Sequence, residues 1–150
     1  MSVNTFFWFD NKAEEAATFY TSVVPNSRIV DVTRNSDGAA FIVSIDLDGQ
    51  AVTLMNGGPG HPLTDAASLQ VVVETQDEVD QLWAALTDGG EPGPCGWLTD
   101  RYGLSWQVVP AALLQLMDGS NPAKTIAVGT ALRSMSKLDI KTLQDAYDNA

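Results

Sequence analysis

One cysteine and one histidine in 150 residues exclude an internal disulfide and any site built from several imidazoles of a single chain. Cations are scarce as well. Eight Lys and Arg stand against 19 Asp and Glu, a formal charge of −11, and a surface of that sign repels phosphate backbones and anionic membranes. Nucleic acid and membrane are therefore not expected partners, and the acidity is read as serving solubility. No apolar run approaches the ~18 residues that a membrane-spanning helix needs. Residues 1–5 have no basic stretch, and the short apolar run that follows stops at Asp10. No secretory leader is read there, and a reducing, cytoplasmic location is expected.

What the chain has is apolar content. Hydrophobic residues make up 45% and charged residues 18%, the balance of a chain that can offset its conformational entropy by burial. The length suits one domain, residues 1–150, with a core that needs no staple. Within it residues 3–9 are a dense apolar and aromatic run of strand length. Asn11 followed by Glu14 reads as a capping box, and Ala13, Ala16, Ala17, Tyr20 and Val24 recur at helical spacing until Pro25. Residues 27–33, 40–47 and 50–55 then form a three-strand meander, with a turn over residues 35–38 and a hairpin at Asp48 and Gly49.

The breaker-rich stretch from Asn56 to Pro62 reads as a linker, after which the pattern restarts. Residues 67–73 are a second apolar strand, Thr75 and Glu78 repeat the capping box, and Val79, Leu82, Trp83 and Leu86 form a stripe that ends at Gly89 and Gly90. Prolines 92 and 94 degrade the next strand, and residues 95–99 and 104–109 follow as two strands around a tight turn. The chain thus reads as module one (about 1–56), a linker (56–66), module two (about 67–110) and a helical tail (111–150). In the tail Leu113, Leu114 and Met117 share a face, Asn121 and Pro122 open a helix carrying Ile126, Leu132 and Met135, and Ser136 with Asp139 caps a last helix carrying Ile140, Leu143 and Tyr147. That apolar stripe must be buried on its own sheet or on a second copy of the chain.

Several motifs carry a family resemblance. Phe7, Trp8, Phe9 and Asp10, then Ala13, Glu14, Glu15 and Ala16, then Phe19 and Tyr20 stand in the first module; Asn56, Gly57, Gly58 and Pro59 form the linker. Cys95, Gly96, Trp97 and Leu98 lead into Asp100, Arg101, Tyr102, Gly103, Leu104, Ser105, Trp106 and Gln107, and Lys137, Leu138, Asp139 and Ile140 lie in the tail. Together they resemble the PhnB-like branch of the glyoxalase/bleomycin-resistance/dioxygenase superfamily, the vicinal oxygen chelate fold. The resemblance implies an α+β fold of two βαβββ-like modules forming a cupped mixed sheet around a pocket, with C-terminal helices, working as a homodimer. It also implies that metal-using members hold a divalent ion with His and Glu at positions that fall here on Thr5, Ser68, Gln107 and either Thr53 or Leu54. Hydroxyls and one amide offer such an ion no charge, so no metal and no cofactor is expected. His61 lies in the linker, away from those positions.

The branch carries the label 3-demethylubiquinone-9 3-methyltransferase. A doubly wound methyltransferase needs a glycine-rich turn between its first strand and helix, and Asp10, Asn11 and Lys12 stand there instead. The reading is therefore a protein that binds a small organic molecule in a metal-free pocket, with catalytic residues unassigned. Its alternatives are a metal-dependent lyase, isomerase or dioxygenase, the labelled methyltransferase, and a drug-sequestering resistance protein. Strand alternation sets Thr5, Phe7 and Phe9 on one face, Ser68, Gln70 and Val72 on another, and Ser105, Gln107 and Val109 on a third. Thr5, Phe7, Phe9, Ser68, Gln70, Ser105 and Gln107 are the pocket candidates. Asp100, Arg101, Gly103, Trp97 and Trp106 are read as the structural motif of the turn, and Cys95 as packing. Glu74, Asp46 and Asp65 are carboxylates able to act as a base, each at a strand edge or turn.

Overall fold

The aromatic run forms strand β1 (Thr5–Phe9), and helix α1 (Ala13–Val23) follows with its alanines and Tyr20 buried. A computed structural model describes all residues, Met1–Ala150, which fall into two compact units, Met1–Leu63 and Thr64–Ala150. In the first unit β2 (Ser27–Arg34), β3 (Ala40–Leu47) and β4 (Gln50–Asn56) complete a four-stranded mixed sheet of order β1-β4-β3-β2. β1 runs parallel to β4, and the other neighbours are antiparallel. Helix α1 packs across β2, β3 and β4.

The start of α1 differs from the sequence reading. Lys12, not Asn11, is the N-cap, and its side chain makes no capping bond. The first helical amide, that of Ala13, donates instead to the Asn56 Oδ1 at 2.8 Å, and Asn56 in turn donates to the Ala40 carbonyl at 3.1 Å. A side chain from β4 thus performs the cap, so the helix end is fixed only once the sheet exists.

The second unit repeats the plan. Strand β5 (Ser68–Val73), helix α2 (Gln76–Thr87), β6 (Glu91–Pro92), β7 (Trp97–Thr99) and β8 (Ser105–Pro110) form a sheet of order β5-β8-β7-β6, again with the first strand parallel to the last. The chain is α+β, as the family resemblance implied. Here the capping box is present in full: the Thr75 side chain accepts from the Glu78 amide, and the Glu78 carboxylate accepts from the Thr75 and Glu74 amides at 2.9 Å each. Those amides hold the Glu78 carboxyl below its ordinary range. The proline-laden return strand survives as two residues, β6, because proline cannot donate to a ladder.

The tail forms α3 (Ala111–Leu116), α4 (Pro122–Arg133) and α5 (Ile140–Asp148). Its apolar stripe packs on its own unit: Val109 of β8 joins Leu113, Leu116, Val128, Leu138 and Leu143 in one buried cluster. The faces assigned from the sequence shift accordingly. Leu113 and Leu116 are inward, whereas Leu114, Met117 and Ile126 are exposed. Asp139 caps α5 by accepting from the Thr142 amide at 2.7 Å, while Ser136, expected to share that role, donates its hydroxyl to the Gly93 carbonyl at 2.6 Å.

Candidate functional site

In each sheet one face is covered by its helix and one is open, and the hydrogen bonds identify which residues belong to which. Asn56 pairs with Phe9 in the β1–β4 register, and the Asn56 side chain meets the N-terminus of α1. The face carrying Phe7, Phe9, Val52 and Leu54 is therefore the helix face, and all four are buried. This corrects the expectation that Phe7 and Phe9 wall a pocket: they are core. Thr5 has the same parity as Phe7, sits half-buried at the start of β1, and its hydroxyl accepts from the Gln50 Nε2 at 3.4 Å. The opposite face of this sheet bears Phe6, which is 55% exposed, and Trp8. The linker folds back onto Trp8, whose indole N–H donates to the Gly58 carbonyl at 2.9 Å and whose ring lies 4.1 Å from that of His61. Gly57 permits this approach, since a Cβ there would sit 2.3 Å from the indole. His61 is thus an exposed cover on Trp8.

The second sheet sorts the other way. Leu98, Trp106 and Val108 are buried, and α2, with Val79, Leu82 and Leu86 inward, packs on β7 and β8. The open face carries the alternate residues in rows set by the register: Thr99, Ser105 and Ser68 in one, Trp97, Gln107 and Gln70 in the next. A row of three hydroxyls therefore adjoins an indole and two amides. The Gln107 Nε2 donates to the Ser68 Oγ at 2.9 Å, and the Gln70 Nε2 donates to the Gln107 Oε1 at 3.3 Å. The structure brings these three expected residues into one chain of hydrogen bonds, with Ser105 beside it.

A cavity of about 450 Å³ opens beside these rows. Its wall is made by Trp97, Leu98 and Thr99 of β7, Ser105 of β8, the run from Glu91 to Cys95, and Asp65. Ser105 is 2% exposed, while Glu91 and Asp65 are exposed at the rim. Gln107, Gln70 and Ser68 stand alongside the cavity and are not part of its wall. Trp97 was assigned to the turn motif, and Cys95 to packing; both face the cavity. The expected four-residue turn over 100–103 would pair 99 with 104; the structure instead connects the strands through residues 100–104, pairing Thr99 with Ser105 and Trp97 with Gln107, so the sequence reading did not place Trp97 and Thr99 beside the serine and glutamine already singled out. Nothing local marks Glu91 or Cys95, because their loop is placed by the tail.

That loop is held in an unusual shape. Cys95 and Gly96 both adopt left-handed backbone, φ 60° and 83°, and their amides donate to the Met135 and Ser136 carbonyls at 2.8 Å each. With the Ser136 hydroxyl on the Gly93 carbonyl, three bonds from the segment between α4 and α5 fix the cavity wall. The turn opposite is fixed from inside. Asp100, 3% exposed, accepts from the Tyr102 and Leu104 amides through Oδ1 at 2.8 and 3.1 Å, and from the Trp106 indole through Oδ2 at 2.8 Å. Arg101 reaches outward to α2, donating to the Asp88 carbonyl and carboxylate at 3.1 and 3.2 Å. Asp100 and Arg101 anchor the turn to different neighbours, and Gly103 closes it at φ 88°.

A divalent ion needs imidazole, thiolate or carboxylate donors. Ser68 and Gln107 bond one another and are neutral, and no group of three or more His, Cys, Asp or Glu side chains is placed to hold a metal. These residues do not fit such an ion.

Comparison with known proteins places the chain. The family model described as 3-demethylubiquinone-9 3-methyltransferase matches residues 1–109. A solved structure from Bacillus cereus, described as a putative 3-demethylubiquinone-9 3-methyltransferase and PhnB protein, is 32% identical, covers 74% of this chain and 100% of its own, and superposes with a TM-score of 0.67. The fold extends to a glyoxylase/bleomycin resistance protein/dioxygenase domain from Frankia (14% identity, 73% and 91% coverage, TM-score 0.50). It extends also to a genomically encoded fosfomycin resistance protein from Listeria monocytogenes complexed with manganese and sulfate (12%, 72% and 89%, TM-score 0.54). No curated protein matches the chain. With most of its length matched by the family model and by a relative of this identity, the chain belongs to the PhnB-like 3-demethylubiquinone-9 3-methyltransferase family.

Proposed function

We propose that this protein binds a small organic molecule in the cavity of Thr64–Ala150, without a metal and without chemistry on the ligand. The observation that carries this reading is the composition of the wall: an indole, prolines and a leucine surround the buried Ser105 and the half-buried Thr99 hydroxyls. Apolar walls with a few convergent polar groups hold and orient a ligand. The same wall contains no imidazole and no lysine, and its two carboxylates, Asp65 and Glu91, are exposed at the rim. Methyl transfer finds no support in the loop between β1 and α1, which holds Asp10, Asn11 and Lys12 and no glycine to let a cofactor approach the backbone closely.

The test is a titration of ¹⁵N-labelled protein with single-ring compounds of positive, neutral and negative charge. Binders are expected to shift the Trp97 indole and the Ser105 and Thr99 amides, and to be recovered unchanged. Ser105→Ala is expected to weaken them about three- to ten-fold at unchanged thermal stability, the worth of one hydrogen bond. Shifts confined to other surfaces, or a ligand recovered in altered form, would overturn the reading. The expected homodimer and cytoplasmic location belong to the same proposal and rest on the family resemblance. Sedimentation at micromolar concentration is expected to give twice the 16.0 kDa chain mass, and a single species of 16.0 kDa would remove the dimer.

A further inference from the structure

We propose that the cavity selects small organic cations: an ammonium or amidinium group carried on an apolar or aromatic body. The proposal rests on the binding reading above and names its ligand class. Two carboxylates, Asp65 and Glu91, belong to the cavity wall, and no Lys, Arg or His does. The formal charge on the wall is therefore of one sign, negative, in a chain that already carries −11 overall. Trp97 adds the ring face that attracts cations most strongly. Among the polar side chains of the wall Ser105 is the most buried, at 2% exposed. A hydroxyl on a cavity wall can pair with a polar group of whatever enters.

These features divide the work. The rim carboxylates draw the cation in and lower its competitors, since an anion would be desolvated against two like charges. The indole and the prolines cover its apolar body. Ser105 accepts from an N–H or O–H of the ligand at the bottom, which favours a primary or secondary ammonium over a bare hydrocarbon. Because Asp65 and Glu91 are exposed, their contribution falls with salt, and selectivity is expected to decline between low and physiological ionic strength.

Cys95, the one cysteine of the chain, lines the same cavity and reports its potential. Its thiolate attacks the thio sulfur of a methanethiosulfonate: an S–S bond forms, the S–SO₂ bond breaks, methanesulfinate leaves with the electron pair, and the thiol proton passes to buffer. Rates are compared for the trimethylammonioethyl and sulfonatoethyl reagents, each divided by its rate on a small free thiol. The cationic reagent is expected to be favoured roughly three- to ten-fold, the scale of one or two charges acting through a solvated cavity. In the Asp65→Asn/Glu91→Gln double variant the preference is expected to fall at least two-fold. An unchanged ratio would overturn the proposal. The ratio is insensitive to any change in thiolate fraction, which affects both reagents alike.

A second readout separates this proposal from the reading beneath it. Benzylammonium, benzyl alcohol and phenylacetate are titrated against the Trp97 indole resonance, which does not depend on the thiol. Half-saturation by the cation at a concentration at least three-fold below the alcohol and phenylacetate supports the proposal. Equal half-saturation by all three would overturn cation selection and leave a binding cavity. A Trp97 resonance moved by none of them would overturn both.

Discussion

Replacing Asp100 by alanine is expected to destabilise the second unit by about 3–5 kcal/mol, because one side chain satisfies three donors in a place water does not reach. The carboxylate is 3% exposed, and its partners are the amides of Tyr102 and Leu104 and the indole N–H of Trp106, itself 1% exposed. Alanine leaves those N–H groups facing an apolar gap. Asparagine is the informative comparison, since it keeps one carbonyl oxygen for the turn but must point an NH₂ group at another donor; about half the cost of alanine is expected. Equilibrium urea unfolding followed by circular dichroism measures both. A second background separates the turn from the indole: in Trp106→Phe the cost of Asp100→Ala is expected to shrink by about 1–2 kcal/mol, as double-mutant cycles do for partners in one network. Equal costs in both backgrounds would mean that the indole bond carries none of the effect. The consequence reaches function, because the turn sets the register that pairs Thr99 with Ser105 and so shapes the cavity wall.

Leu138→Ala is expected to cost about 2–5 kcal/mol, the range for deleting a fully buried leucine that leaves a cavity behind. Leu138 is 0% exposed and sits at the junction of three elements. Its carbonyl accepts from the Gln76 Nε2 at 2.9 Å, the amide of Ile140, two residues on, donates to the Gln76 Oε1 at 2.8 Å, and its side chain lies against Gly96. A Cβ at Gly96 would come within 3.0 Å of Leu138 and of the Val108 carbonyl, at a φ of 83°. The expected signature is local as well as global. Loss of the leucine should loosen the segment that holds Cys95 and Gly96, so the amides bonded to Met135 and Ser136 should exchange faster than those of the β5–β8 ladder. Uniform acceleration across the unit, with no excess at residues 95–96, would show that the tail does not act on the cavity wall in particular. The family model ends at residue 109, one residue before the end of β8, so this wall is held by a segment the model does not include.

Much of the architecture was legible because it rests on short-range chemistry. Breaker residues mark the elements, Asp48 and Gly49 mark a hairpin, and Thr75 with Glu78 is a reciprocal cap whose partners are three residues apart. The cap of α1 was misread for the complementary reason. Asn11 and Glu14 have the right spacing, yet the Ala13 amide bonds Asn56, 43 residues away, and no spacing rule encodes an acceptor brought in by a sheet.

The candidate site divides along the same line. Alternation gathers Thr5, Phe7 and Phe9 into one set and Ser68 and Gln70 into another, because a strand repeats every two residues. It does not say which set meets the helix, and a one-residue difference in parity exchanges the two faces. Helix α1 lies over the Phe7 and Phe9 set, whereas α2 lies over the alternates of Ser68 and Gln70, so the same argument leads to core in one unit and to an open polar row in the other. By itself the sequence determined the two repeated modules, the family, the acidic charge and the want of imidazole and thiolate ligands. Only the tertiary structure decided that the tail packs on its own unit and that Asp65, Glu91, Cys95, Trp97 and Ser105 share a cavity. The physical reason is that those five residues come from separate strands and loops, and the bonds that hold them together join segments up to about forty residues apart.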